Sequence, residues 1–157
     1  RSGVRASILR IPGIYAPDRP NGTPRERLLK GTPVLVEADD VYTNHIHSDD
    51  LARASVAAIW RGKPQRVYHV SDDTHLKMGD YFDAAADLMG LKRPPRVPRS
   101  QAQESLPLML LSFMSESRRL RNDRLKNELR VPLKYPNVQI GLKPMAQKIE
   151  PIELSPS

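Results

Sequence analysis

The sequence predicts an α/β fold, because short runs of branched apolar residues alternate with segments whose apolar residues recur every three or four positions. The strand patterns cover residues 7–11, 33–36, 41–46 and 66–70. The helix patterns cover residues 24–30, 49–61 and 77–89, and each is followed by a glycine. Glycine commonly ends helices, and this alternation is typical of a parallel sheet with helices on its faces.

The first strand and the first helix have clear local boundaries. The strand at 7–11 ends at Pro12 and Gly13, a pair typical of a turn. Thr23 and Pro24 predict the start of the first helix, since threonine caps helices and proline is favoured at their first position. A short helix should follow.

The helix at 49–61 has the strongest pattern in the chain. Ser48, Asp49 and Asp50 are residue types that cap helices, so we expect Asp49 or Asp50 to act as the cap. Its small side chains predict close packing on a sheet. The expected inward positions are Leu51, Ala54, Ser55, Ala58 and Ile59.

The chain changes character after the proline-rich stretch at 94–98. We predict a helix after Pro107, a short extended piece followed by a helix with Leu125 and Leu129 inward, and a last helix from about 138 to 148. Residues 150–157 are expected to be a frayed tail.

Composition excludes several protein classes. The chain has 157 residues, enough for one domain, and no cysteine, which excludes disulfides, thiolate metal sites and cysteine nucleophiles. No run reaches the roughly 18 to 20 apolar residues that a membrane helix needs. We therefore expect a cytoplasmic protein with no membrane partner.

The positive charge is concentrated in one part of the chain. The net charge is +7, and residues 91–148 hold 13 Lys and Arg against 4 Asp and Glu, a local charge of +9. Such a patch attracts phosphate, so a basic module that binds nucleic acid or a protein without catalysis is the alternative function. Aromatic residues do not alternate with these charges, which argues against nucleic acid.

A histidine pair raises the question of a metal site. His45 and His47 would share one face of a strand and precede Asp49 and Asp50. A third ligand would have to come from far along the chain. We therefore predict no metal, a helix-capping role for the aspartates, and a hydrogen-bonded His47 near a crevice.

Three segments, in order, resemble the second half of extended short-chain dehydrogenases/reductases, the NAD-dependent epimerase/dehydratase family. Residues 8–17, ILRIPGIYAP, are similar to the family's strand and loop "LRxxxvYGPg". Residues 45–52, HIHSDDLA, are similar to "fihVdDla", and residues 67–72, VYHVSD, resemble "vyNvgd". A weaker similarity covers residues 118–142, so the resemblance extends over most of the chain.

The resemblance implies the C-terminal part of a Rossmann-type parallel sheet plus a small α+β substrate domain. Residues 1–90 would form the last strands and helices of the Rossmann-type domain with substrate-domain insertions, and residues 91–149 a mainly helical substrate-binding region. The implied cofactor is NAD or NADP, and the implied partner a small-molecule substrate such as a sugar nucleotide. The implied cofactor contacts are Pro12, Gly13, Ile14 and Tyr15, and the implied substrate contacts are Asn44, His47, Arg118 and Arg119.

Two family motifs do not occur in this sequence. It has neither a glycine-rich dinucleotide turn nor a Tyr-x-x-x-Lys pair, the family's proton-transfer residues. We therefore predict no catalytic residue, no activity of the chain alone, and two further partners, a missing N-terminal half and a second copy of the chain. Thr43 and Asn44 stand where many relatives have Arg-Asp, which argues against a UDP-sugar.

Overall fold

The computed structural model describes residues 3–19 and 22–147, and fifteen elements lie within them. The strands are β1 (Ser7–Arg10), β2 (Gly13–Tyr15), β3 (Val34–Leu35), β4 (Tyr42–Thr43), β5 (His45–His47), β6 (Arg66–His69), β7 (Leu76–Lys77) and β8 (Arg96–Val97). The helices are α1 (Arg25–Leu29), α2 (Ser48–Arg61), α3 (Met78–Met89), α4 (Arg99–Ser105), α5 (Leu108–Ser115), α6 (Asp123–Asn127) and α7 (Val138–Gln147). The predicted tail at 150–157 lies outside the described residues.

The strands form four pairs, of which three are parallel. β1 pairs with β6, with Ser7 opposite Arg66, and α2 lies between them in the chain. β1 and β6 are therefore parallel neighbours, as the alternation of strand and helix predicted. β2 pairs in parallel with β5, β3 pairs in parallel with β8, and β4 pairs antiparallel with β7. The prediction of an α/β fold is confirmed.

The start of α2 differs from the prediction. The capping residue is His47, whose Nδ1 accepts a hydrogen bond from the Asp49 backbone N–H at 3.1 Å. The expected cap by Asp49 or Asp50 is therefore wrong. Asp50 is fully buried, and its carboxylate accepts bonds from the backbone N–H groups of Lys134 and Tyr135. Its role is to hold a distant loop against α2.

The rest of α2 follows its pattern except at one position. Ala54 is fully buried, and Gly62 follows the helix as its C-terminal cap. Ile59, expected to face inward, is 76% exposed, and its neighbour Trp60 is 83% exposed. Ile59 lies at the margin of the buried face, beside a groove next to β1.

Two further local predictions are corrected. The single strand expected at 41–46 is divided into β4 and β5, which pair with different strands and are separated by Asn44. The first helix has Pro24 at its N-terminal cap position with no side-chain cap, rather than a Thr23 cap. β2, β7 and β8 had no recognised signal, because each pairs with a strand that is distant in the sequence, and the helix α4 was not predicted.

The core consists of two hydrophobic clusters. One surrounds α3 and includes Tyr15, Phe82 and Leu142. The other includes Ala54, Tyr68 and the predicted inward residues Leu125 and Leu129. Both clusters draw residues from before and after position 90, so the predicted domain boundary there stays a prediction. No helix within residues 3–19 and 22–147 is long and apolar enough to cross a membrane.

Candidate functional site

The segment predicted to meet the cofactor follows β1 directly. Pro12 leads into β2, and the Gly13 N–H donates to the Asn44 carbonyl at 3.3 Å. The Tyr15 side chain turns into the core, where it is 2% exposed and its hydroxyl donates to Asp72 at 3.4 Å. A side chain at position 141 would overlap this phenol, so Gly141 makes room for it. The Tyr15 side chain is therefore not available to a ligand, which could contact only the backbone at this position.

Asp72 anchors a buried polar network beneath Tyr15. Its carboxylate accepts the Thr74 N–H at 2.9 Å, and burial raises its pKa to about 6 despite that bond. Burial, with the nearby Asp72 charge, also raises the pKa of Tyr15. The Asn122 amide donates to the Ser71 carbonyl at 2.8 Å and thereby joins the network to the segment before α6. The phenol therefore remains neutral.

His45 is a buried imidazole with an unused nitrogen. Its ring stacks on Tyr81 at a centroid distance of 4.1 Å, and its Nδ1 is buried without a hydrogen-bond partner. Burial lowers its pKa to about 4, so the ring is neutral at physiological pH. Its backbone carbonyl accepts a hydrogen bond from the Asp72 N–H at 2.8 Å, so His45 and Asp72 are direct neighbours.

His47 lies between two aromatic rings. It is 3% exposed, stacks on Tyr135 at 3.8 Å and meets the edge of Tyr15 at 5.2 Å. Burial lowers its pKa, an effect that the charges of Asp49 and Asp50 oppose. Because Nδ1 accepts the cap bond, the neutral ring carries its proton on Nε2.

The other predicted substrate residues make contacts within the chain. The Asn44 amide donates to the Arg118 carbonyl at 2.7 Å, and its oxygen accepts the Leu120 N–H at 2.8 Å. Arg118 pairs with Glu116 at 2.8 Å, while the Arg119 guanidinium lies 4.9 Å from the centre of the Tyr42 ring. The structure therefore brings Asn44 and Arg118 into contact, whereas His47 packs against Tyr15 and Tyr135.

Most of the basic residues that suggested a binding module are engaged within the chain. Carboxylates pair with Arg93, Arg96, Arg118, Arg121, Lys126 and Lys134. Arg99 and Arg124 donate to backbone carbonyls. These contacts neutralise much of the local charge, and no observation favours the nucleic-acid alternative. Within the described part of the chain, no group of three or more His, Asp or Glu residues is arranged to hold a metal.

One side of the β1–β6 pair is bare. β1 pairs with β6 alone among the described residues, and Ile8 and Ile11 are about half exposed. A groove runs between β1 and α2, and Ser7, Leu9, Ser55 and Ile59 are among its lining residues. Strand edges and apolar side chains of this kind are normally covered in a folded protein.

The sequence pattern did not identify Asp72 as the partner of Tyr15 or Tyr135 as the partner of His47. Asp72 follows a strand at its C-terminal end, the edge where ligands meet parallel sheets, and that position was a usable signal. Tyr135 lies in a loop without periodicity. Its place beside His47 depends on the bonds from Asp50.

Comparisons with known proteins find relatives that are similar in sequence and in fold. No protein-family model matches the chain. A 3-diazoavenalumate denitrifying reductase from a Streptomyces species is 27% identical over 145 residues, which cover 90% of this chain and 47% of the reductase. A functionally unknown conserved protein from Silicibacter pomeroyi has a similar structure with a TM-score of 0.75 and 36% identity, covering 90% of this chain and 47% of that one.

The human epimerase family protein SDR39U1, solved with NADPH, has a TM-score of 0.74 at 16% identity and covers 92% of this chain and 49% of its own. The chain thus spans about half the length of the proteins it matches. The fold is of the Rossmann α/β type. It is the fold of the NAD-dependent epimerase/dehydratase family, and the prediction of that family from the sequence is confirmed.

Proposed function

We propose that this chain is the substrate-binding, C-terminal portion of an NAD(P)-dependent reductase or epimerase/dehydratase, completed by a dinucleotide-binding half. The β1–α2–β6 unit with its bare strand edge carries the proposal, because such an edge is suited to another parallel strand. The relatives are a reductase and an NADPH-bound epimerase-family protein. A cytoplasmic location and a homo-oligomer remain predictions.

In this proposal the backbone of residues 12–15 borders the nicotinamide ring. The segment leaves β1 at its C-terminal end, the edge of a parallel sheet where ligands bind. Asn44, His47, Arg118 and Arg119 stay the proposed substrate residues, with Asn44 acting by fixing the backbone near Arg118. The substrate is a small carbonyl or sugar-like compound, for instance a sugar nucleotide.

Gly13 provides a test of the cofactor contact. A Cβ there would lie 3.5 Å from the Asn44 carbonyl oxygen and 3.6 Å from the His45 ring, ordinary contact distances, so Gly13→Ala should fold. In the complete protein we expect Gly13→Ala to weaken NADPH binding several-fold in a fluorescence titration. Gly3→Ala is the matched control, because nothing lies within 4 Å of a Cβ there. Equal affinity in both variants would count against a contact at Gly13.

The missing proton-transfer pair gives a second test. The chain by itself should consume neither NADH nor NADPH above the blank rate with a sugar nucleotide or a small carbonyl compound. Turnover that follows the purified chain through successive columns would show that the active site lies within these residues.

The bare edge gives a third test. Each large apolar side chain left uncovered forfeits on the order of 1.5 to 3 kcal/mol of burial, against about 5 to 15 kcal/mol for a whole domain. The chain alone should therefore self-associate or unfold without a sharp transition. Sedimentation showing a strict monomer that melts cooperatively would contradict the proposed missing half.

A further inference from the structure

The outward face of α2 carries large apolar side chains that remain exposed. Val56, Ile59 and Trp60 are 57%, 76% and 83% exposed, and the last two follow Val56 by three and four residues. Residues at these spacings share one face of a helix. Ala54, which is fully buried, lies on the opposite face. The three exposed side chains therefore form one continuous stripe, here called the outer stripe of α2.

The outer stripe is large for the face of a single helix. Its three side chains leave on the order of 400 Å² of apolar surface in contact with water, within the range of about 300 to 600 Å² for the largest patch on a typical monomer. Patches of this size often mark an interaction site. Trp60 strengthens that reading, because tryptophan is among the residues that contribute most to binding at protein interfaces.

The outer stripe does not face the bare edge of β1. The groove beside β1 is lined from α2 by Ser55, Ala58 and Ile59, so it lies on the flank of the helix. A strand added beside β1 in the plane of the sheet extends toward that flank. Val56 and Trp60 are absent from the groove and point away from the sheet. The bare edge and the outer stripe therefore face different partners.

The sequence of α2 is complementary to itself when two copies run antiparallel and cross at Val56. Ala52 and Trp60 lie four residues before and after Val56, so each Trp60 then faces Ala52 of the partner subunit. Ala52 is exposed and small, and it leaves room for the indole ring between the two helices. A two-fold contact between identical chains requires a surface that is complementary to itself in this way.

The charges at the two ends of α2 fit the same arrangement. Asp49 and Lys63 lie seven residues before and after Val56, so each aspartate meets the lysine of the partner subunit. Both side chains are more than half exposed, and their ion pairs within the chain are long, 3.5 Å to Lys134 and 3.7 Å to Glu128. A parallel arrangement would instead bring like charges together, which is unfavourable. The charges therefore favour a second, antiparallel copy as the partner.

We propose that α2 forms a two-fold symmetric interface between two copies of the complete protein, in which two antiparallel outer stripes pack together with Val56 at the axis. The two stripes bury about 800 Å², the area of a weak interface, so the dissociation constant is expected in the micromolar range. The interface goes beyond the proposed function, because it needs neither the cofactor nor a substrate residue. Its loss would leave NADPH binding unchanged, and a failure of NADPH binding would leave the interface in place.

Analytical ultracentrifugation of the complete protein, in which the edge of β1 is covered, tests the interface. We expect a reversible association step with a micromolar dissociation constant, which Trp60→Ala weakens about thirtyfold or more. Leu108→Ala is the matched control, because Leu108 is also 83% exposed but lies on α5, and it should leave that step unchanged. The absence of any association step that depends on Trp60 would overturn the proposal and leave the stripe to a different protein.

A charge exchange tests the antiparallel orientation. Asp49→Lys or Lys63→Glu alone brings like charges together at both ends of the interface, so each should weaken association about tenfold. The double variant Asp49→Lys/Lys63→Glu should return the dissociation constant to within about threefold of the parent value. Asp123→Lys, at a similarly exposed acidic residue of α6, should have no effect. A folded double variant that stays as weak as the single variants would contradict the orientation.

A disulfide cross-link locates the axis independently of affinity. Helices pack about 8 to 10 Å apart, so residues that face each other at the axis come within the roughly 4.4 to 6.8 Å between Cα atoms that a disulfide needs. This chain has no cysteine, and any cysteine elsewhere in the complete protein is replaced by serine. Oxidised Val56→Cys should run as a covalent dimer, whereas Leu29→Cys, at a residue that is 56% exposed on α1, should stay a monomer under denaturing conditions. Equal cross-linking of both variants, or of neither, would refute an axis at Val56.

Discussion

His45 and Asp72 have pKa values displaced in opposite directions, so each conceals the effect of the other on stability. Burial lowers the pKa of His45 from 6.5 to about 4 and raises that of Asp72 from 3.8 to about 6. One pKa unit corresponds to about 1.4 kcal/mol, so each group changes the free energy of unfolding by about 3 kcal/mol across its window. The two groups share the bond from Asp72 N–H to the His45 carbonyl.

The signs follow from proton binding. The unfolded chain binds the His45 proton more readily, so His45 favours the fold fully above about pH 6.5 and this contribution is lost as the pH falls to about 4. The folded chain binds the Asp72 proton more readily, so that contribution is full below about pH 3.8 and lost as the pH rises through about 6. Between pH 4 and 6 the contributions of His45 and Asp72 to the free energy of unfolding change in opposite directions and nearly cancel.

Removing one group should expose the other. Between pH 7 and pH 4, Asp72→Asn should lose about 3 kcal/mol of unfolding free energy relative to the unmodified protein. His45→Phe, which keeps a ring against Tyr81, should gain about 3 kcal/mol over the same interval. Urea unfolding across this pH range measures both effects.

The double variant His45→Phe/Asp72→Asn is the control. Its pH profile should return to the shape of the unmodified protein, since the remaining groups are common to all four chains. Parallel profiles for both single variants and the parent would refute the reasoning, because they would show that neither group changes its proton affinity on folding.

Two further substitutions test the packing around the site. Gly141→Ala should destabilise the protein by about 1 to 3 kcal/mol, because the added methyl group overlaps Tyr15, and thermal unfolding measures this. Asp50→Ala should cost about 2 to 4 kcal/mol by removing buried acceptors from the loop that holds Tyr135, whereas Asp49→Ala, at a half-exposed ion pair, should change stability by less than about 1 kcal/mol. Equal losses for Asp49 and Asp50 in urea unfolding would contradict the different roles assigned to them.

The local pattern was sufficient for the main helices and for the strands of the β1–β6 pair. Gly90 illustrates why: it ends α3 with a φ of 62°, a conformation that side chains other than glycine rarely adopt. Tyr81, Phe82 and Ala85 lie on the buried face of the same helix, at the short spacing that marks such a face in a sequence. Such features depend on interactions within a few residues, so the sequence displays them directly.

The candidate site was less predictable because its parts are distant in the chain. His47 was expected near a crevice, but its capping role displaced the aspartates, since Asp50 is occupied by the loop at 134–135. Tyr15 was expected at a ligand, yet Asp72 and Gly141 draw its side chain inward. Nothing near Tyr15 in sequence identifies those two partners.

The sequence by itself determined the α/β class, the principal helices with their glycine ends, and the ordered segments that resemble the dehydrogenase family. The tertiary structure decided which strands pair, which acid lies buried, and which ring lies against His47. The physical reason is that backbone propensity and helix termination act over one or two turns, whereas burial and hydrogen bonding of side chains depend on residues more than fifty positions apart, as with Tyr15 and Asp72.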